Sequence, residues 1–232
     1  MRTELSRNRS FRILLITLLT VLFLSATGSA TTSIGRAFKI RAIDPPQAAE
    51  TRYQIDASKS TFMVRAFSGG LLWFKGHDHF IAVRDFTGEV RLTPQSMLPA
   101  SLEMTIKSAS LVETRDVFTE PQKQIINKEL QEIVLHTAQY PEINFRSTKV
   151  TGKVASAGQF EARIEGDLTM HGVTRRIVIP AQVTLGANDL RAKGEFTVDR
   201  SDFKVKATSA AHGLVRVRDK LKFTFDILAH SY

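Results

Sequence analysis

The residues best suited by type and spacing to bind a metal or a ligand are two histidines in the segment Gly76-His77-Asp78-His79. Residues i and i+2 of a β-strand point to the same face, and neutral imidazole is a common zinc ligand. His171 or His212 could supply a third ligand. The same spacing also suits a loop held by hydrogen bonds, or a loop that contacts the head group of a ligand. His77 and His79 are therefore only weak metal candidates, and we expect no metal and no cofactor.

No other group of residues predicts catalysis. No serine or threonine has the setting of a hydrolase nucleophile, and the sequence has no phosphate-binding loop. The chain has zero cysteines, which excludes disulfides and thiolate chemistry. Glu129 and Glu132 suit the solvated side of a helix better than an acid–base pair. We expect no catalytic residues and no enzymatic activity, and the alternative is a metal-dependent hydrolase that uses His77 and His79.

The dominant pattern in the chain is an alternation of apolar and polar side chains, as in residues 61–67, 162–170 and 190–198. Strict alternation predicts strands with one buried and one solvated face, and it favours antiparallel pairing. Turn signals separate the strands at Gly69-Gly70, Gly158, His171-Gly172 and Asn188-Asp189. About eight such strands hide their edges best in a closed barrel, and a two-sheet sandwich is the alternative.

The apolar face of these strands is the best candidate for a binding surface. Its members are Phe62, Val64, Phe86, Leu102, Met104, Ile106, Phe145, Ile164, Leu168, Phe196, Phe223 and Phe225. Trp73 follows Gly69-Gly70 and is expected at the mouth of the barrel. The interior of a small barrel is a core whether or not it is hollow, so the pattern alone leaves two interpretations open. One is a ligand cavity, and the other is a solid core in a non-catalytic interaction module of the cell envelope.

One helix is expected to interrupt the strands. Thr119 is followed three residues later by Gln122, with Pro121 between them, which is the signature of a capped helix start. Apolar residues then recur at helical spacing to about His136, and Tyr140-Pro141 ends the helix. A helix cannot join the sheet, so we expect it to pack over one end of the barrel.

The first thirty residues resemble a secretory signal. A basic start precedes the apolar run Ile13–Leu24, and small residues follow to Ala30. The apolar run is shorter than the ~20 residues of a membrane-spanning helix, although an uncleaved anchor is the alternative. We expect cleavage after Ala30, a linker over residues 31–52 and a single domain over residues 53–232. The protein should then be exported, periplasmic or secreted in a bacterium, and without stable membrane insertion.

The net charge is +9, but no basic stripe is interleaved with aromatic residues. We therefore expect no nucleic-acid partner. Nothing in the pattern predicts an oligomeric state.

Four segments resemble the YceI-like family in order and spacing. They are residues 53–60 (YQIDASKS), 140–148 (YPEINFRST), 166–175 (GDLTMHGVTR) and 200–203 (RSDF). The resemblance covers about residues 53–230. The family often has Gly after the last of these segments, whereas this chain has Lys204. The segment before the helix also departs from the commoner pattern.

The resemblance implies a lipocalin-like, eight-stranded antiparallel barrel with an internal lipid pocket. It further implies an exported bacterial protein that binds a polyisoprenoid or another long-chain lipid or amphiphile. With that family expectation, the apolar face becomes the predicted wall of a cavity, and the protein is expected to be a lipid carrier or store.

Overall fold

The computed structural model describes residues 49–70, 76–94, 96–206, 208–210 and 215–232. The expected signal peptide, most of the expected linker, Trp73 and His212 lie outside these residues. Within them, the chain forms twelve strands, one α-helix and short 3₁₀ or π-helical turns. The strands are β1 Thr51–Ile55, β2 Thr61–Gly69, β3 His79–Val83, β4 Phe86–Leu92, β5 Ala100–Lys107, β6 Leu111–Glu113, β7 Glu142–Ser156, β8 Gln159–Met170, β9 Val173–Leu185, β10 Asp189–Asp199, β11 Ser209–Ala210 and β12 Val215–Ser231.

The strands close into an eight-stranded antiparallel barrel, which confirms the predicted fold class. Closure depends on the last strand, because β12 pairs with β10 along one edge and with β2 and then β1 along the other. Closing the ring pairs both β1 and β12 along two edges, and so removes edges that an open sheet would offer to another chain. The alternative, a two-sheet sandwich, is therefore wrong.

Three of the eight wall positions are each built from two consecutive strands. β1 and β2 share one position, β3 and β4 the next, and β5 and β6 the third. The chain bends between the members of each pair, at 56–60, 84–85 and 108–110. Backbone hydrogen bonds join the second and third bends, since Lys107 N–H donates to Asp85 O (3.0 Å) and Arg84 N–H donates to Ser110 O (3.2 Å). The bends divide the barrel into two halves along its length.

The pairing between β9 and β10 is incomplete. Hydrogen-bonded partners run only from Leu190↔Leu185 to Lys193↔Gln182, although β8 pairs with β9 along almost its whole length. Pro180 lacks an N–H and lies where the ladder stops. Gly194 follows on β10, and a Cβ there would lie 2.3 Å from Pro180 O and 2.6 Å from Phe225 Cζ. Only glycine fits this crowded point.

Helix α1 spans Glu120–Glu129 and continues as a π-helical turn over Leu130–Val134. The predicted start is confirmed, because Thr119 N–H donates to Gln122 Oε1 (2.9 Å). Asn127 Oδ1 accepts a hydrogen bond from Glu113 N–H (2.7 Å) and ties the helix to β6. Among the described residues, no helix is long and apolar enough to cross a membrane.

Lys204 adopts a left-handed conformation with φ 58° at the end of a 3₁₀ turn over Arg200–Phe203. Glycine adopts this conformation without steric cost, which explains why the related family often has glycine here. The substitution leaves the turn in place, since Val205 N–H still donates to Arg200 O (3.1 Å).

Candidate ligand-binding cavities

Two cavities lie inside the barrel. The first has a volume of about 120 Å³ and is bordered at one end by the buried side chain of Met97, so we call it the Met97 cavity. Its wall is Ile55, Phe62, Val90, Leu92, Met97, Ala100, Ser101, Leu102, Met104, Ile106, Ile143, Phe145, Val150, Ala162, Ile164, Leu168, Ile177, Ile179, Val183, Leu190, Ala192, Phe196, Phe225 and Ile227. Among these described residues, only Ser101 has a polar side chain, so the cavity suits hydrocarbon and not a polar group.

The second cavity lies beneath the helix and has a volume of about 180 Å³, and we call it the helix cavity. Its wall is Phe62, Val64, Ala66, His79, Ile81, Val83, Ile106, Leu111, Ile126, Glu129, Leu130, Val134, Leu135, Ile143, Leu168, Met170, Phe196, Arg200, Val205, Thr208, Val217, Leu221 and Phe223. Unlike the Met97 cavity, it includes His79, Glu129, Arg200 and Thr208. One end of the barrel interior is therefore apolar, and the other end carries hydrogen-bonding groups.

The two cavities adjoin. Phe62, Ile106, Ile143, Leu168 and Phe196 line both of them, and we call these five residues the dividing ring. Phe196 stacks on Phe223 with 4.9 Å between ring centroids, and Phe62 contacts the edge of Phe86 at 6.1 Å. The five side chains of the dividing ring therefore form the boundary between the two cavities.

The structure places most of the predicted apolar face on these walls. Leu102, Met104, Phe145, Ile164 and Phe225 line the Met97 cavity, Val64 and Phe223 line the helix cavity, and Phe62, Ile106, Leu168 and Phe196 line both. Phe86 is 3% exposed and packs in the core without lining either cavity. Trp73 lies outside the described residues.

The histidine segment is held by many contacts. Asp78 accepts hydrogen bonds from Arg65 Nη2 (2.6 Å) and Ser68 N–H (2.9 Å). The rings of His77 and His79 both contact Phe118, at centroid distances of 5.7 and 5.4 Å. Among the described residues, no cluster of three or more His, Asp or Glu side chains could hold a metal ion.

Glu113 is the buried partner of His79. Its Oε2 lies 2.7 Å from His79 Nδ1, and its Oε1 accepts from the N–H groups of Arg115 (2.8 Å), Thr114 (3.0 Å) and Phe80 (3.2 Å). Burial alone would raise the pKa of Glu113, but the hydrogen bonds from His79, Arg115 and Phe80 outweigh it and hold the pKa below its usual value. Glu113 is therefore ionised at neutral pH. Sequence patterns missed it, because an isolated Glu on a short strand carries no motif.

Three of the four segments that resemble the YceI-like family meet at the end of the helix. His171 Nε2 lies 2.9 Å from His136 Nδ1, and the ring centroids of His171 and Tyr140 are 4.4 Å apart. His171 also hydrogen-bonds the backbone of Phe203. These contacts fasten the segment after the helix to the β8–β9 turn, so His171 has a structural role here.

We predict that acidification weakens the fold through His171. Burial, and then the neighbouring His136, lower the pKa of His171 below 6.5. The unfolded chain therefore takes up this proton first, and the free energy of unfolding should fall as the pH drops below about 6.5, by at most about 1.4 kcal/mol per pH unit for one group. Urea denaturation between pH 7.5 and 5.5 measures this slope.

The matched control for this prediction is His171→Asn. Asparagine tolerates the left-handed conformation of His171, which has φ 51°, and it does not titrate. The slope should be smaller in the variant than in the unmodified protein. Equal slopes in the two proteins would show that His171 contributes nothing.

The comparisons with known proteins agree with this architecture. The family model of the YceI-like domain matches residues 53–229. The chain belongs to the YceI-like family. As a member of that family it is 33% identical over 129 residues to a UPF0312 protein of Pseudomonas savastanoi pv. phaseolicola, an alignment that covers 53% of this chain and 62% of the relative. A UPF0312 protein of Pseudomonas fluorescens is 31% identical over 131 residues, and this alignment covers 52% of this chain and 61% of the relative. The match thus spans less than two thirds of these curated relatives.

Solved structures share the YceI-like fold at lower identity. BcnA of Burkholderia cenocepacia has a TM-score of 0.58 and 20% identity, covering 75% of this chain and 98% of its own. A polyisoprenoid binding domain from Saccharophagus degradans, implicated in plant cell wall breakdown, has a TM-score of 0.54 and 13% identity, covering 78% and 98%. At these identities the likeness concerns the fold.

Proposed function

We propose that this protein binds one long apolar ligand, a polyisoprenoid or a similar amphiphile, inside the barrel and serves as a carrier or store. The observation that carries the proposal is the pair of adjoining cavities, one apolar except for Ser101 and the other lined also by the polar residues His79, Glu129, Arg200 and Thr208. A neighbour with the same fold is a polyisoprenoid binding domain, which supports the same ligand class.

The energetics favour such a ligand. Each buried CH₂ group contributes about 0.8 kcal/mol, so a long chain binds tightly without a polar anchor. An engineered apolar cavity of about 150 Å³ stays dry and binds benzene, so each cavity here is large enough for a short stretch of hydrocarbon, and a long ligand has to occupy both. Residues of the dividing ring would contact the middle of the chain, and the apolar wall of the Met97 cavity would contact its tail.

We also propose a binding role rather than an enzymatic one, which the same residues support. His79 is hydrogen-bonded to a buried carboxylate. Among the described residues that line the helix cavity, Thr208 is the only serine, threonine or lysine. The basic, apolar and small-residue order of residues 1–30 supports export to the periplasm or the medium.

Mass spectrometry of the purified protein tests the proposal. The full chain is expressed in a bacterial host, purified without detergent and extracted with organic solvent. We expect a long-chain lipid near one equivalent per protein, and uptake of polyprenols by the delipidated protein. A folded protein that carries no lipid and takes up none from a polyprenol panel would refute the proposal. N-terminal sequencing of the same sample tests cleavage after Ala30.

A further inference from the structure

Exposed apolar side chains are concentrated around helix α1. In the described part of the chain, three of the five large apolar residues on the surface lie there, since Ile125 is 62% exposed, Ile133 52% and Val117 48%. The inner side of the helix faces the helix cavity, which Leu130 and Val134 line. The outer apolar residues therefore contact water, although covering them would lower the free energy.

A basic segment borders the same cavity. Residues 203–218 include four Lys or Arg residues and no Asp or Glu. Val205 and Val217 line the helix cavity, and basic residues alternate with them along the chain. The four basic residues are all exposed: Lys204, Lys206, Arg216 and Arg218. The described parts of this segment thus turn valines to the cavity and positive charge to water.

The positive charge of the basic segment is only partly offset. Arg218 donates from Nε to Ser68 O (2.8 Å), which is a neutral acceptor. Asp202 precedes the segment, and Asp219 follows it and already accepts from Ser201 Oγ (2.6 Å). Four cations are therefore flanked in sequence by two acids, and one of these acids is already engaged.

The helix and the basic segment together suit an anionic phospholipid surface. Apolar side chains enter the boundary between head groups and acyl chains, and Lys or Arg residues add attraction to anionic head groups. A second copy of the chain fits less well, because a symmetric interface would place the same basic patch on both subunits. The exposed acids Asp116 and Glu132 lie on the helix side, so the attraction arises from the basic segment.

We infer that the helix end of the barrel docks on a membrane that contains anionic phospholipids. The docking surface has Ile125 and Ile133 on one side and Lys204, Lys206 and Arg218 on the other, and we call it the helix-end surface. The inference goes beyond the proposed function, because it gives a partner to the outer surface of the protein. Docking would bring the helix cavity close to the membrane, where a water-insoluble ligand resides.

Co-sedimentation with vesicles measures the docking. The full chain, as purified from a bacterial host, is mixed with vesicles of phosphatidylglycerol and phosphatidylethanolamine, or with vesicles of phosphatidylcholine alone. We expect at least about 10-fold tighter binding to the anionic vesicles. This preference should disappear in about 1 M salt, where the screening length falls to ~3 Å.

Two double variants separate the apolar and the basic contributions. Ile125→Gln with Ile133→Gln changes only exposed side chains and should weaken binding to the anionic vesicles about 10-fold. Lys204→Gln with Lys206→Gln should weaken it about 30-fold, since each basic residue near an anionic surface contributes about 1 kcal/mol. All variants share the same N-terminal segment, so that segment cannot produce a difference between them.

The matched controls lie at the β7–β8 turn, at the opposite end of β8 from the turn that contacts the helix. Val154 is 70% exposed, and Lys149 and Lys153 are exposed too. Val154→Gln removes an exposed apolar residue, and Lys149→Gln with Lys153→Gln removes the same charge as the basic double variant. Both controls should bind the anionic vesicles as tightly as the unmodified protein.

Equal binding to both kinds of vesicle, or equal losses in the controls and the helix-end variants, overturns the inference. The proposed function then still stands if mass spectrometry finds the lipid. A protein that docks but carries and takes up no lipid refutes the proposed function alone. Analytical ultracentrifugation tests the other occupant, since a dimer that Ile125→Gln with Ile133→Gln abolishes would assign the surface to a second copy and overturn the inference.

Discussion

Replacing Leu168 by Trp should weaken the binding of a long polyprenol on the order of 100-fold and leave the binding of geraniol nearly unchanged. Leu168 lies in the dividing ring and borders both cavities. An indole there fills the passage between them. A chain that can no longer cross loses the burial of about four carbon groups at ~0.8 kcal/mol each, which corresponds to a loss of this size. Titration with both alcohols measures the two affinities.

The matched control for this variant is Thr169→Trp. Thr169 follows Leu168 on β8 and points to the outer face, where its hydroxyl lies 2.8 Å from that of Thr174. The substitution Thr169→Trp adds the same indole ring outside the barrel and should leave both affinities unchanged. Overpacking at Leu168 costs about 1–3 kcal/mol, so thermal unfolding must show that the variant is folded. Equal losses for both alcohols would argue against a passage through the dividing ring.

Replacing Glu113 by Leu should lower the free energy of unfolding by about 3–5 kcal/mol. The change leaves the N–H groups of Phe80 and Arg115, and Nδ1–H of His79, without their acceptor in a buried place. Each buried donor without a partner costs about 1–3 kcal/mol. Thr114 N–H keeps a second acceptor in Phe80 O (2.9 Å), so it adds little. Urea denaturation at neutral pH measures the change.

Glu103→Leu provides the comparison for Glu113. Glu103 lies on β5 and pairs with Arg146 at 3.3 Å on the solvated face, where both side chains are mostly exposed. Losing such an exposed pair should change the free energy of unfolding by less than about 1 kcal/mol. A similar small change for Glu113→Leu would mean that water or another group satisfies the buried donors.

Alternation predicted the strands wherever one face is buried and the other solvated. It located β8 and β10 well, because every second residue of these strands faces the interior. It missed β3 before Val83, because Ile81, Ala82 and Val83 are buried in succession. It also missed the outer half of β7, where residues 151–156 are all exposed. Neither segment has the two-residue contrast on which the prediction depends.

The bends and the end of the helix were beyond sequence patterns. The alternation of apolar and polar residues over 83–92 predicts one strand, but the chain bends at Arg84-Asp85 and starts β4 at Phe86. The helix was expected to continue to about His136, yet it widens into a π-turn after Glu129. That turn places Leu130, Val134 and Leu135 together on the wall of the helix cavity. Their placement depends on tertiary packing, so a local sequence pattern does not reveal it.

The apolar wall of the candidate site was predictable, and its polar end was not. The two-residue period of a strand indicates which face apolar residues such as Leu102 and Ile164 occupy. Glu129 and Arg200 come from a helix and a turn that are distant in sequence, and only the fold brings them to one cavity. His79 was noticed for its neighbour His77, whereas its partner in the structure is Glu113.

The most direct test of the central proposal is a crystal structure of the protein with a polyprenol that carries bromine at the end of its chain. The account predicts one continuous ligand density through the dividing ring, with the anomalous bromine signal in the Met97 cavity and the hydroxyl beneath the helix. A bromine signal on the outer surface of the barrel, or density confined to one cavity while the chain projects into solvent, would contradict it.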